Sequence, residues 1–86
     1  MLPTEDLQFA SAHNLVFSAA IKERRGAAWC DVGTMLPLEE AYRLAVSTEA
    51  FERAVFVETK SGGGMYWTSR FPTTFNSVAL QHALLI

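Results

Sequence analysis

The residue types that most often carry chemistry are scarce in this sequence. It has one cysteine, Cys30, and two histidines, His13 and His82. A reactive thiol needs a base within hydrogen-bond reach and a lowered pKa, and Cys30 lies among small apolar residues that favour burial. The histidines are distant in the chain, and with a single cysteine they form no zinc-binding spacing. The sequence therefore predicts no catalytic residue, no metal site and no cofactor, and it does not favour an enzyme.

Two acidic pairs and one glycine-rich run look like functional motifs but have simpler structural explanations. Glu5-Asp6 and Glu39-Glu40 lie where helices are predicted to begin, and the helix dipole favours acidic residues there. The segment from Lys60 to Gly64 has the composition of a phosphate-binding loop, but in such a loop the lysine follows the glycines and a helix comes next. A strand is predicted to follow here. We therefore interpret the Ser-Gly-Gly-Gly run as a hairpin turn.

Length and composition limit the chain to one small domain. Its 86 residues leave no room for two hydrophobic cores, so we expect a single domain spanning residues 1–86. Half of the residues are apolar and only 19% are charged, whereas about a quarter are charged in an average soluble protein. A domain this small buries only about 60% of its unfolded surface. The apolar excess therefore predicts that the protein packs against another surface.

Charge and hydropathy narrow the classes of partner and compartment. No apolar run approaches the ~20 residues of a membrane-spanning helix, so we expect no membrane insertion. The first residues are acidic where a secretory signal would be basic, and one cysteine allows no internal disulfide. Both observations favour the cytoplasm. The net charge of −2 removes the general attraction of a basic protein for nucleic acid, although a local basic patch stays possible.

The predicted elements follow the order strand, strand, helix, strand, strand (β-β-α-β-β). The central helix is predicted over Pro37–Val46, with Pro37 at its first position and Thr34 as an N-cap. Its apolar face is formed by Leu38, Ala41, Tyr42 and Ala45. Strands are predicted over residues 15–24, 27–32, 53–59 and 65–71. We therefore predict an α+β fold with a four-stranded antiparallel sheet, made of two hairpins that flank the helix.

Two terminal segments adjoin this arrangement. Thr4–Ala10 is predicted to form a short helix with Thr4 as its N-cap. The tail Thr74–Ile86 fits a strand by alternation, and it also fits a helix. We prefer the helix because alanine and leucine dominate the tail. The residues on one side of that helix are Phe75, Val78, Ala79, His82 and Ile86.

Alternation along the strands assigns each residue to one of two sheet faces. The face toward the helix is predicted to carry Leu15, Phe17, Ala19, Ile21, Ala28, Cys30, Val32, Val55, Val57, Met65, Trp67 and Phe71. The opposite face, here named the outer face, is predicted to carry Trp29, Phe56 and Tyr66 together with charged residues that include Lys22, Arg24, Asp31, Glu58, Lys60 and Arg70. A sheet covered on one side usually has a polar second side. These aromatic residues therefore require an explanation.

Several explanations remain open for the aromatic outer face. A terminal segment could cover it, or another protein chain, most simply a second copy, could pack there. We predict a small protein-interaction domain that self-associates and binds through Trp29, Phe56 and Tyr66. One alternative is a small-molecule binding domain with a pocket at the sheet face or dimer seam, where Arg70 or Lys22 orients an anionic group. The other is a nucleic-acid binder whose bases stack on the locally basic face.

Overall fold

The computed structural model describes residues 4–13, 19–47, 52–59 and 62–83. Within them the elements are α1 (Thr4–Ala12), β1 (Ala19–Arg25), β2 (Ala28–Leu36), α2 (Leu38–Val46), β3 (Arg53–Thr59), β4 (Gly62–Thr68) and α3 (Ser77–His82). The strands form an antiparallel sheet in the order β2-β1-β3-β4. This confirms the predicted α+β class and the hairpins on either side of the central helix. The start of the first predicted strand, residues 15–18, and Lys60 lie outside the described residues.

The hydrophobic core lies between the sheet and α2. Leu38, Ala41 and Ala45 are buried and Tyr42 is half-buried, which confirms the predicted apolar face of this helix. Burial of apolar area, at roughly 25 cal/mol per Å², is the main favourable contribution to folding. The central strands supply the facing core residues, as predicted, and these are Ala19, Ile21, Val55 and Val57.

The central helix begins one residue later than predicted. Pro37 has φ −58° and ψ 146°, which is an extended conformation, so it precedes the first helical residue. Its carbonyl accepts a hydrogen bond of 3.0 Å from the Ala41 amide. Thr34 lies within β2, so the prediction that it caps the helix is wrong. Because β2 continues to Leu36, only Pro37 remains between strand and helix.

Both terminal helices pack on the same side of the sheet as α2. The N-terminal helix is confirmed, although Thr4 is its first described helical residue and not its cap. In α3, the side-chain oxygen of Asn76 accepts a hydrogen bond of 3.3 Å from the Ala79 amide and so caps the helix. The preferred helical interpretation of the tail is confirmed over Ser77–His82. Residues 84–86 lie outside the described residues.

Helix α3 approaches β4 closely at Gly64. A Cβ atom added at Gly64 would lie 2.9 Å from the Cβ of Ala79, so only glycine fits there. The glycine run belongs to β4, and the prediction that it forms the hairpin turn is wrong. In α3, Ala79 and Leu80 are buried, while Val78 is 58% exposed. Of the residues expected on one side of this helix, Ala79 is buried, whereas Val78 and His82 are exposed.

A β-bulge in β4 changes which residues face the helices. Val55 is opposite Trp67 and Phe56 is opposite Met65, so Tyr66 is the extra residue. Tyr66 and Trp67 are consecutive, yet both are buried on the helix side, with 1% and 2% of their surface exposed. The predictions that Tyr66 lies on the outer face and that Met65 faces the helix are wrong. Simple alternation fails across a bulge, because one extra residue reverses the faces.

Two register shifts also interrupt β2, which lies at the edge of the described sheet. Met35, near the first shift, has a positive φ of 56°. Val32 is the extra residue at the second shift and is exposed, as is Ala28 near the hairpin tip. The predictions that Ala28 and Val32 face the core are wrong, and Cys30 is only half-buried. Such bulges discourage an edge strand from pairing with another chain.

Arg53 ties the sheet to the end of α2. Its Nε donates to Glu23 Oε1 at 3.0 Å, and its Nη1 donates to the Leu44 carbonyl at 3.2 Å. Arg25 Nε donates to the other oxygen of Glu23 at 2.8 Å. The hydrogen bonds from Arg25 and Arg53 hold the pKa of Glu23 below its ordinary value. Glu23 therefore links the β1–β2 hairpin to β3 as an ionised carboxylate.

Candidate functional site

The outer face gathers aromatic and charged residues from adjacent strands. Residues opposed in antiparallel strands have their side chains on the same face. Arg24 is opposite Trp29 and Lys22 is opposite Asp31 across β1 and β2. On the other side of β1, Phe56 of β3 occupies the same face. Among the described residues, the outer face consists of Ala20, Lys22, Arg24, Trp29, Asp31, Glu52, Ala54, Phe56, Glu58, Met65 and Thr68.

Trp29 and Phe56 form an aromatic pair at the centre of the outer face. Their ring centroids are 5.8 Å apart and their planes are inclined by 76°, an edge-to-face arrangement that stabilises aromatic contacts. Both rings are half-buried, so part of each remains exposed. Met65, which is opposite Phe56, adds a further exposed apolar side chain. The structure thus places two of the three predicted aromatic residues together.

Two cations lie against the aromatic pair. Lys22 Nζ is 5.1 Å from the centre of the Phe56 ring and 3.7 Å from Asp31 Oδ1. Arg24 Cζ is 5.8 Å from the centre of the Trp29 ring, and its Nη1 is 3.5 Å from Glu52 Oε1. Each cation therefore combines a cation–π contact with a neighbouring carboxylate. The positive and negative charges immediately around the aromatic pair balance.

Glu52 is a buried acid at the rim of this face. Only 4% of its surface is exposed, and its Oε2 accepts a hydrogen bond of 2.8 Å from the Thr68 hydroxyl. Its Oε1 lies at ion-pair distance from Arg24 but accepts no hydrogen bond among the described residues. At this distance Arg24 attracts Glu52 Oε1 electrostatically but does not donate a hydrogen bond to it. The hydrogen-bonding capacity of this oxygen is therefore incompletely satisfied. Buried polar atoms are nearly always hydrogen-bonded, which makes Glu52 an exception.

Tyr66 takes part in a different, structural cluster on the helix side. Its hydroxyl donates a hydrogen bond to Asp6 Oδ2, and the Ser77 hydroxyl donates to Asp6 Oδ1 at 3.3 Å. Burial, together with the hydrogen bond to Asp6, strongly raises the pKa of Tyr66. Asp6 therefore connects α1 to β4 and α3. The sequence did not reveal this role, because Asp6 also fits the acidic first turn of a helix.

Arg70 does not join the outer-face cluster. The strand β4 ends at Thr68, and the chain then turns, with the Phe71 amide donating to the Thr68 carbonyl at 3.2 Å. Arg70 is exposed in this turn, and its guanidinium lies 5.6 Å from the centre of the Phe71 ring. Phe71 is 57% exposed, so the prediction that it faces the core is wrong. The strand was predicted too long because its end was placed at Pro72, which cannot donate to a sheet, whereas β4 ends at Thr68.

A shallow groove runs along β4, beside the loop that follows it. Its volume is about 150 Å³, below the 300–1,000 Å³ of typical small-molecule sites. Trp67 Nε1 donates to the Pro72 carbonyl at 2.9 Å and holds the loop against the strand. Neither Lys22 nor Arg70 lines the groove. Its lining residues are Met65, Tyr66, Trp67, Thr68, Phe71, Thr74 and Asn76.

Within residues 4–13, 19–47, 52–59 and 62–83, no group of three or more His, Cys, Asp or Glu side chains is placed to hold a metal ion. None of the helices in the described ranges is both long and apolar enough to cross a bilayer. Comparison of the chain with protein-family models, with curated proteins and with solved structures finds no match.

Proposed function

We propose that this protein is a small protein-interaction domain that self-associates through its outer face. The observation that carries the proposal is the half-exposed Trp29–Phe56 pair on the side of the sheet opposite the helices. An antiparallel sheet with one covered side normally presents a polar second side to water. Aromatic residues are instead enriched at the centres of protein interfaces. Contact with another chain gives these rings the burial that they lack.

The positions of the terminal helices favour a partner chain, and not a folded-back terminal segment, as the cover of the outer face. Helix α1 is held on the helix side by the Asp6–Tyr66 hydrogen bond. Helix α3 is held there by its close approach to Gly64. Both described terminal elements are thus committed to the core side of the sheet. This favours another chain as the cover for the aromatic pair.

The charges on the outer face favour a protein as the binding partner, and they disfavour nucleic acid and small anions. Phosphate binding depends on cations that are free to neutralise it. Lys22 and Arg24 instead lie beside Asp31 and Glu52. A face with balanced, alternating charges suits a protein surface, where charged pairs set orientation and specificity.

The size of the face limits the strength of the association. Four strands spaced by ~4.8 Å give the face a width of roughly 20 Å, and about seven residues per strand, at ~3.3 Å per residue, give it a length of roughly 20 Å. The face therefore covers about 400 Å². A standard interface buries about 800 Å² per partner. The face is therefore at the small end, and we expect a dissociation constant in the micromolar range or weaker.

Analytical ultracentrifugation of the wild type and of two serine variants tests the proposal. Wild-type protein is expected to shift from monomer to dimer as its concentration rises through the micromolar range. Phe56→Ser removes a ring from the outer face, and Phe71→Ser removes an exposed ring from the turn after β4. Phe56→Ser should abolish the shift, whereas Phe71→Ser should preserve it. Loss of association in Phe71→Ser alone would place the contact elsewhere.

A further inference from the structure

Strand β2 forms one edge of the described sheet, and the first half of this edge is open to another chain. Ala28 and Val32 are exposed there, and the Asp31 side chain is 64% exposed. The two register shifts of β2 lie beyond Asp31, so they discourage pairing only over the second half of the strand. The segment Ala28–Asp31, here named the open edge, pairs regularly with β1. Exposed, regular backbone of this kind is a template for a further strand.

We infer that the open edge pairs with the open edge of a second copy, in an antiparallel register centred on Cys30. The inference does not rest on the proposed association through the outer face, because it uses the edge of the sheet. Two copies related by a twofold axis bring one segment against itself. The segment must therefore supply both the hydrogen-bond donors and the acceptors of the contact, at positions that match after the rotation.

The backbone directions of the open edge follow from a hydrogen bond of β1. The Arg24 amide donates to the Glu52 carbonyl at 2.8 Å, so the backbone N–H and C=O of Arg24 point away from β2. Trp29 is opposite Arg24, and the two form a non-hydrogen-bonded pair. The N–H and C=O of Trp29 therefore point outward from the edge. Because the direction alternates along a strand, those of Asp31 also point outward, and those of Cys30 point toward β1.

One register uses all of these outward groups. With Cys30 of one copy opposite Cys30 of the other, each Trp29 is opposite an Asp31 of the other copy. The two residues of each such pair exchange both of their hydrogen bonds, so the contact contains four. Centring the contact on Asp31 would set two like charges directly opposite, which is destabilising. Centring it on Trp29 would pair only one outward residue of each open edge and would give two hydrogen bonds.

The charges of the outer face also fit the register centred on Cys30. Across the join, the outer-face residues follow one another in the order Glu52, Arg24, Trp29, and then Asp31 and Lys22 of the other copy. Charges of opposite sign therefore flank the Trp29 ring, and no two like charges are opposed at the join. Opposite charges on neighbouring strands stabilise their pairing.

The same register brings the two Cys30 thiols within disulfide distance. Cys30 is half-buried, and in a non-hydrogen-bonded pair the two Cα atoms lie about 4.5 Å apart. A disulfide needs Cα atoms about 4.4–6.8 Å apart. A contact of four hydrogen bonds is small, so we expect it to be weaker than the outer-face association and to escape sedimentation at micromolar concentration. Oxidation of the two thiols should trap it.

Cross-linking of the full chain by diamide tests the inference. Each disulfide forms as two thiols give up two electrons and two protons to diamide. The control is Cys30→Ser/Ala28→Cys, whose thiol lies at an exposed position of the same edge. In the inferred register the two copies of this position are about 14 Å apart along the strands, too far for a disulfide.

The wild type should form the disulfide-linked dimer about tenfold faster than this control or more, because pairing holds its thiols together. Each rate is read from non-reducing gels and corrected for the rate at which the same thiol reacts with iodoacetamide. Equal corrected rates would overturn the register centred on Cys30.

Asp31→Pro tests the hydrogen bonds of the open edge. Proline lacks the outward N–H and so removes two of the four hydrogen bonds, while it leaves the bonds between β2 and β1 in place. Cross-linking of Cys30 should slow by about tenfold or more in Asp31→Pro. It should slow by less than about threefold in Asp31→Asn, which loses the charge and keeps the N–H. Equal rates in these two variants, with both folded by circular dichroism, would overturn the edge pairing.

Phe56→Ser separates this inference from the proposed function. It should abolish the outer-face association and leave the rate of Cys30 cross-linking within about twofold of the wild type, because Phe56 lies away from the open edge. Loss of cross-linking in Phe56→Ser would overturn the edge pairing, since the thiols would then meet through the outer face. Preferential cross-linking of a protein that stays monomeric in sedimentation would support the edge pairing and overturn the proposed function alone.

Discussion

Replacement of Tyr66 by phenylalanine tests whether the buried cluster around Asp6 holds the terminal helices on the sheet. The variant keeps the ring, which is 1% exposed, and removes only the hydroxyl that donates to Asp6. Asp6 is itself buried, and its remaining described contact is the 3.3 Å hydrogen bond from Ser77. A buried acceptor that loses its donor costs about 1–3 kcal/mol. We therefore expect a loss of about 2 kcal/mol in the free energy of unfolding.

That loss is large enough to measure by ordinary thermal unfolding. About 1 kcal/mol corresponds to about 4–8 °C in Tm for a domain of this size, so Tyr66→Phe should lower Tm by roughly 10 °C. Tyr42→Phe is the matched control, because the Tyr42 ring packs on Trp67 at 5.1 Å and its hydroxyl has no hydrogen-bond partner among the described residues. Its Tm should change little. Equal Tm values for Tyr66→Phe and the wild type would refute the structural role of the cluster.

The difference in stability between the wild type and Tyr66→Phe should decrease at high pH. The pKa of Tyr66 is raised in the folded state, by burial first and by the hydrogen bond to Asp6 second. Its contribution to stability is therefore complete below the ordinary tyrosine pKa of about 10 and is lost as the pH rises above that value, by up to about 1.4 kcal/mol per pH unit. The wild type should lose its advantage over Tyr66→Phe between pH 10 and 12. An advantage that stays constant across this range would contradict the raised pKa.

Two further predictions concern the packing of α3 and the ion pairs of Arg53. Gly64→Ala should lower the free energy of unfolding by about 1–3 kcal/mol in urea titrations, because the new methyl group collides with Ala79; a variant as stable as the wild type would show that α3 does not approach so closely. Glu23→Gln should lower Tm near neutral pH, since two arginines hold the pKa of Glu23 below 4.5. The difference in Tm between Glu23→Gln and the wild type is present above pH 4.5. It should vanish as the pH falls through the lower pKa that Glu23 has in the folded state. Glu39→Gln, at an exposed pair on α2, should leave Tm near neutral pH almost unchanged.

The sequence predicted those parts of the fold that follow simple periodicity. The apolar spacing of α2 and the β-branched run of β3 gave both elements correctly, together with the antiparallel arrangement. Prediction failed where a backbone irregularity changes the period. Tyr66 was assigned to the wrong face because nothing in its neighbours marks the bulge that turns it toward the core. The glycine run was assigned to a turn because its tight contact with α3 depends on a distant segment.

The candidate site was predictable only in part, for related reasons. Trp29, Phe56 and Lys22 were placed together correctly, since alternation holds where β1 pairs with its neighbours around them. Arg70 was placed on the sheet because the end of β4 was set too late. Glu52 was overlooked because it lies one residue before its strand, and its importance depends on burial and on its incomplete hydrogen bonding. Such properties arise from tertiary packing and have no local sequence pattern.

Nuclear magnetic resonance spectra recorded over a concentration series test the central claim most directly, because they locate the contact between copies. The account predicts that the Trp29 indole signal and the signals of Phe56 and Met65 shift as the concentration rises. The signals of core residues, such as Ala41 on the buried side of α2, should keep constant positions. Spectra that do not change with concentration would contradict self-association. Shifts confined to the exposed side of α2 around Leu44 would place the interface away from the outer face.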